Sequence, residues 1–215
     1  MTRFFVVSTP RTGNVYMRRV LTGVLGIENL ALWTPGEVPW RFLPPDVSVG
    51  MHWRHSREFE NFLRERNFRV VVTARHPLDV LISILHYAPT NEEAYRWLEG
   101  ECGDERDLVA GTTPVDEAFV RYALSWRFAA LLDVSVAWSA RADAILRYAE
   151  FVAEPHREIN GLLRQFGLTA ARDIDSQLWE YSPTRTRLQT PGHYWQGSPN
   201  HWRRMIVPQL ANAIR

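Results

Sequence analysis

The 215-residue chain contains no lysine; all 25 basic residues are arginine. That absence removes the P-loop lysine of ordinary NTPases and small-molecule kinases, the Schiff-base lysine of pyridoxal-phosphate enzymes and the strand lysine of protein kinases. A cation acting on an anionic substrate must then be a guanidinium or a protonated histidine. Arginine stays charged at neutral pH, so any proton acceptor has to be another residue type. Cysteine is nearly absent as well. Cys102 stands alone, which rules out an internal disulfide and fits a reducing compartment, and its neighbours Glu101 and Asp104 make it a poor nucleophile. No apolar run approaches the roughly 18 residues of a membrane span, and the N-terminus lacks a signal-peptide core. A net charge of +1 offers nothing to attract nucleic acid or a membrane surface. These absences predict a soluble, cytoplasmic protein with neither partner.

What is present is a folded chain, 46% hydrophobic. Its length suits one domain that buries roughly 70% of its unfolded surface without metal or disulfide staples. Arg3 to Ser8, Val47 to Met51, Arg69 to Ala74 and Asp143 to Tyr148 read as strands, the third most clearly because β-branched residues dominate it. Helical spacing follows over Val15 to Leu25, Ser56 to Arg66, Pro77 to Tyr87, Val115 to Arg141 and Glu154 to Phe166, with a short closing helix over His201 to Ile214. Asn29 to Asp46 reads as a long connection and Ser182 to Asn200 as loop. Between residues 92 and 117, nine acidic residues face only Arg96 and Arg106. This composition predicts a solvated, lid-like insertion at about 89–113 within a single domain spanning 1–215. Strands alternating with helices predict an α/β fold, a central parallel sheet flanked by helices.

Two loops carry chemistry. Strand, then Pro10-Arg11-Thr12-Gly13-Asn14, then helix is an arrangement that binds an anion. The first helical amides lack intrahelical partners, Gly13 permits close approach, and Arg11 adds a bidentate cation. A tight βα turn with an exposed arginine is the plainer reading of the same residues. Arg75 falls at the carboxyl end of the third strand, where open α/β sheets place ligands. Ser83 shares a helix face with Asp79 and Tyr87, so Arg75 and Ser83 form a candidate second anion site. The structural alternative there is an Arg75–Asp79 ion pair.

Together these loops resemble the cytosolic sulfotransferases, nearest in style to bacterial natural-product enzymes, which use 3′-phosphoadenosine 5′-phosphosulfate (PAPS). Ser8-Thr9-Pro10-Arg11-Thr12-Gly13-Asn14-Val15-Tyr16 is similar to that family's 5′-phosphosulfate loop. Arg75-His76-Pro77-Leu78-Asp79-Val80-Leu81-Ile82-Ser83 is similar to its R-x-P-x-D-x-x-x-S motif for the 3′-phosphate. Tyr148-Ala149-Glu150-Phe151 and Trp195-Gln196-Gly197-Ser198-Pro199-Asn200-His201-Trp202 resemble two later landmarks. The resemblance implies a P-loop-like fold and sulfuryl transfer from PAPS to a hydroxyl of a small-molecule or natural-product acceptor, leaving 3′-phosphoadenosine 5′-phosphate (PAP), with no metal required.

Carried over by residue, the resemblance gives Arg11 the family lysine's place at the leaving phosphate oxygen. The amides of Thr12, Gly13, Asn14 and Val15 would cradle the 5′-phosphosulfate. Tyr16 would stack on adenine, Tyr148 would approach it, Arg75 and Ser83 would hold the 3′-phosphate, and Gly197 would close the cofactor site. His52, in Gly50-Met51-His52-Trp53, takes the place of the general base, and an ordinary histidine suits that task near neutral pH. Gly50 stands where the family has lysine. Trp195 and Gln196 replace the closing arginine and lysine, leaving Arg185, Arg187, Arg203 and Arg204 as substitutes. Trp33, Trp40, Trp53, Tyr87, Tyr95 and Trp97 fall where the family builds its acceptor pocket, implying a bulky, partly aromatic acceptor. A nucleotide phosphotransferase, which the missing lysine disfavours, and a PAP-binding module without catalysis are the alternatives. Arg18-Arg19 reads as a solvated helix face, His55 as a cap or surface residue, and His86 as a packed helix residue; a metal site on the three histidines is weakly supported.

Overall fold

The structure, a computed structural model, describes residues 1–97, 105, 108, 111–182, 184–186 and 198–214. Five parallel strands, β1 (Arg3–Ser8), β2 (Glu28–Ala31), β3 (Val47–Met51), β4 (Arg69–Ala74) and β5 (Ala144–Arg147), lie in the order β2-β3-β1-β4-β5. Val6 aligns with Gly50 on one side and with Val71 on the other. That register brings the carboxyl ends of the three central strands to one edge of the sheet, where parallel α/β sheets bind ligands.

Alternation along β1 builds two cores. Phe4 and Val6 point to one face and pack with Met17, Val20 and Leu21 of α1 (Asn14–Leu25) and with Leu162 and Leu163 of α7 (Pro155–Phe166). Phe5 and Val7 point to the other face. They pack with Leu63 of α2 (Arg57–Glu65), with α3 (Pro77–Tyr87), and with Leu131 and Trp138 of α5 (Trp126–Ser139). Helices on both faces are what right-handed parallel crossovers require.

Four strands and four helices thus fall where the pattern predicts them, within a residue or two. The differences are instructive. β2 lies inside the expected Asn29–Asp46 connection. It is a short edge strand, half exposed, and so lacks the apolar run that marks a central one. The expected helix over 115–141 is two, α4 (Glu117–Ala123) and α5, because the Ser125 hydroxyl accepts from the amide of Phe128 and caps a new start. Two helices escape the periodicity altogether, α6 (Tyr148–Ala153) and α8 (Ile174–Glu180), both under two full turns. The closing helix resolves into a 3₁₀ turn (His201–Arg204) and α9 (Pro208–Ala213). Much of the expected 182–200 loop lies outside the described residues.

The acidic segment is exposed at some of its described positions, Glu92, Glu93 and Gly111 among them, and buried at others. Trp97, Glu105 and Leu108 are buried. Glu105 accepts from Arg127 Nε of α5 (3.1 Å) and from the Tyr122 hydroxyl (3.2 Å), while Arg127 Nη2 donates to the Trp97 carbonyl (3.1 Å). A count of charges hides a carboxylate whose partners lie on helices elsewhere in the chain. Since removing one member strands the other in the interior, Arg127→Ala should lower stability by about 3–5 kcal/mol. Thermal unfolding should then show a loss on the order of 10 °C, which an Arg127→Met/Glu105→Leu double variant recovers in large part.

Candidate active site

The turn after β1 is held by side chains from two other elements. Thr9 donates its amide to Ser135 Oγ of α5 (2.7 Å) and its hydroxyl to the Leu131 carbonyl (2.7 Å). Thr12 Oγ1 meets Thr73 Oγ1 of β4 (2.8 Å), and Ser135 Oγ donates to the Thr73 carbonyl (3.1 Å). Within this frame Arg11 (φ 67°) and Gly13 (φ 84°) both take left-handed backbone. Glycine is needed at the second position for a further reason: a Cβ there would lie 2.4 Å from the Tyr148 ring. Successive amides turned in this way, leading into the start of α1, form a concave donor site of the kind that binds phosphate and sulfate.

A chain of cations lies over this turn. Arg11 Nε donates to Ser83 Oγ (3.2 Å), and its guanidinium sits 3.9 Å from the centre of the Tyr87 ring. Arg75 Nη1 donates to the Arg11 carbonyl (3.1 Å) while its guanidinium lies 4.6 Å from the Tyr148 ring centre. Arg75 Nε and Nη2 are buried with no protein partner. Burial lowers the Arg75 pKa, with Tyr148 and Asp79 opposing the effect. Unsatisfied buried guanidinium donors are costly, and their presence fits a site for an anionic ligand. Asp79 is occupied elsewhere: its carboxylate accepts from the amides of Asn200 (2.8 Å) and Trp202 (3.2 Å), tying the C-terminal segment to α3.

His52 follows β3 directly. Its Nδ1 lies 2.7 Å from the Ser8 carbonyl, which can only accept, so Nδ1 carries the proton and Nε2 is left as the acceptor. The adjoining Trp53 is fixed through its carbonyl, which accepts from Trp138 Nε1 (2.8 Å). Desolvation, with the positive fields of Arg18 and Arg11, pushes the His52 pKa down to about 4 against the opposing Ser8 hydrogen bond. The ordinary value expected from the residue type does not hold, because the ring is buried and, to a lesser extent, because cations lie near it. His52 is neutral at pH 7.

Arg11, Asn14 and Val15 from the turn and the start of α1, and His52 just after β3, line one cavity of about 280 Å³. Trp33, Tyr87 and Trp97 also line it. Trp40 packs instead against Phe59, Phe62 and Phe68 in the core, Trp53 rests against that core, and the Tyr95 side chain is outside the described residues. Tyr16 is buried, edge-on to Phe151 at 5.5 Å, and the Tyr148 ring lies over Gly13 of the turn. His86 is exposed rather than packed, and His55 pairs with Glu60 (2.9 Å). Among the described residues no three His, Cys, Asp or Glu side chains gather as a metal site. Gly197 and Arg187 lie outside the described residues. Arg185 pairs with Glu180 (2.7 Å) and Arg203 lies against Trp202 (4.9 Å).

The residue that the sequence reading misplaced is Arg18. It is 4% exposed, lines the cavity, and crosses over Gly50, where a Cβ would lie 2.7 Å from its Nε. Its Nη1 donates to Asn29 Oδ1 and to the Leu30 carbonyl (2.8 Å). The glycine that takes the place of lysine in the resemblance thus leaves room for this arginine, whose charge acts on His52. No local spacing signals such a crossing.

Comparison with protein-family models finds no match, and no curated protein matches the chain. Solved structures do. The chain is similar over 98% of its length, and 81% of the other's, to mouse sulfotransferase SULT7A1 complexed with PAP, at a TM-score of 0.68 and 13% identity. It is similar over 99% of its length, and 78% of the other's, to retinol dehydratase in complex with androsterone and the inactive cofactor PAP, at a TM-score of 0.63 and 13% identity. The likeness is one of fold, and the fold is that of the sulfotransferases.

A histidine kept neutral by its surroundings leaves a thermodynamic trace. The unfolded chain takes up a proton as pH falls through about 6.5, whereas native His52 refuses it until about 4. Stability from this source is therefore full above pH 6.5 and is lost progressively down to pH 4. In His52→Gln the fall in Tm between pH 6.5 and 4 should be shallower than in the wild type; parallel curves would show that the ring is not so perturbed.

Proposed function

We propose that the chain is a PAPS-dependent sulfotransferase of the cytoplasm that moves a sulfuryl group to a hydroxyl of a small, partly aromatic acceptor. The observation that carries this reading is the meeting of the β1 turn, Arg11 and His52 on one cavity, with the unsatisfied Arg75 donors beside the same turn. Bound PAPS would supply an activated sulfuryl group on its 5′-phosphate.

The chain's own residues would do the rest by positioning and charge, which is most of what such transfers require. The amides of Thr12, Gly13, Asn14 and Val15 would hold the phosphosulfate, with Arg11 facing the negative charge left on the phosphate as the sulfur–oxygen bond breaks. Arg75, with Ser83 holding Arg11 in line, would take the 3′-phosphate. Tyr148 would border the adenine. His52 Nε2 would accept the hydroxyl proton as that oxygen bonds to sulfur. A pKa of about 4 makes the free imidazole a weak base. Anions held at Arg11 and Arg18 would offset the part of the depression that those cations cause, while desolvation, the larger cause, would remain.

Binding and turnover separate these roles. PAP at 100 times its Kd should raise Tm by roughly 5–10 °C, with little effect from ATP or AMP. His52→Ala should lose about 10²- to 10⁴-fold in kcat while keeping that shift; full activity would remove the base assignment. Arg75→Ala should weaken PAP far more than adenosine 5′-phosphosulfate, which has no 3′-phosphate. An equal loss for both would refute the 3′-phosphate role.

A further inference from the structure

Transfer requires the base and the anion-binding turn to keep a fixed separation, since a misplacement of about 1 Å can cost about 10²-fold in rate. One helix touches both. Leu131, Ser135 and Trp138 recur along a single face of α5. The first two hold Thr9 of the β1 turn, through the Leu131 carbonyl and the Ser135 hydroxyl (2.7 Å each). The third reaches the loop of the base: Trp138 Nε1 donates to the Trp53 carbonyl (2.8 Å), one residue beyond His52. That bond falls where the main chain has left the sheet. Pairing of β3 with β1 ends at Met51, α2 begins after its Ser56 cap, and residues 52–56 form neither strand nor helix. Trp138 itself is fully buried and packed against Phe5 of β1 (5.5 Å) and His55 (4.8 Å).

We propose that Trp138 is a positioning residue for the base: its N–H, by holding the Trp53 carbonyl, keeps the His52 ring bonded to the Ser8 carbonyl and leaves Nε2 for the acceptor's proton. This rests on the sulfuryl-transfer reading. A buried indole N–H needs an acceptor, and a carbonyl on a segment outside the sheet needs a donor. Without the N–H the carbonyl turns to find water, which rotates the peptide next to His52 and carries the ring away from Ser8. The ring of Trp138 fills the core, while its N–H sets the loop.

The test uses phenol and para-nitrophenol as acceptors in mildly alkaline buffer. Para-nitrophenol is largely ionised there and gives His52 no proton, whereas phenol must give one. In Trp138→Phe, kcat for phenol should fall about tenfold and that for para-nitrophenol by less than about twofold. The KM for each and the PAP-induced rise in Tm should stay close to wild type. Added to His52→Ala, the same substitution should not lower phenol turnover further, because the two residues act as a unit. Imidazole nitrogen NMR reads the ring without turnover: wild-type His52 should show the Nδ1–H tautomer, and Trp138→Phe a mixture of both. Benzothienylalanine at position 138 replaces the indole N–H by sulfur at nearly constant shape, and repeats each measurement if the phenylalanine variant does not fold. The assignment is overturned if both phenols lose rate equally, if the loss persists without His52, or if the His52 tautomer is unchanged. Where neither phenol is turned over, the tautomer alone decides it. Failure of the wild type to bind PAP is a separate result, which overturns the sulfuryl-transfer reading itself.

Discussion

Everything at this site depends on a buried hydroxyl network that nails the β1 turn in place. Thr9, Thr12, Thr73 and Ser135 satisfy one another and the surrounding backbone, and all four are buried. Holding a non-glycine residue, Arg11, at φ 67° costs on the order of 1–3 kcal/mol, which persists only where the surroundings over-determine the conformation. The return is a rigid set of amides aimed at one point. Preorganised donors stabilise charge without reorganising during reaction, which is why such strain collects at functional sites.

A second constraint is the missing lysine. Three guanidinium groups crowd around one turn and one imidazole, and each is held in a different way: Arg11 by Ser83 and Tyr87, Arg75 by a carbonyl and Tyr148, Arg18 by Asn29 and Leu30. Planar guanidinium stacks on rings and forks to oxygens, which a lysine ammonium cannot do. The aromatic residues around the site therefore act partly as rails for the cations. Burial lowers the His52 pKa, and the nearby cations lower it further.

The acidic segment links site and scaffold. Trp97 is at once a wall of the cavity and an acceptor for Arg127, and α5 carries both Arg127 and the Ser135 that pins the turn. One helix thus anchors the wall and the anion site together. The Asp79 carboxylate performs a similar service for the C-terminal segment, which is why it does not form the alternative ion pair with Arg75: two backbone amides claim it first.

The sequence alone discloses the central strands, the parallel α/β class, the glycine-bearing turn after β1, Arg75 at the end of β4 and the histidine after β3. These are local signals: β-branched runs, a proline at a helix start, and glycine where backbone turns left-handed. It did not disclose the short edge strand, the helices of under two turns or the split in the long helix, where a single cap outweighs periodicity. Nor did it separate Trp33 and Trp97 from Trp40, or Arg18 from an ordinary surface charge. Those outcomes rest on which atoms meet across the sheet. A guanidinium becomes a site residue only when β3 presents a glycine beside it, and an imidazole loses its ordinary pKa only when two such cations and a dry strand end close around it.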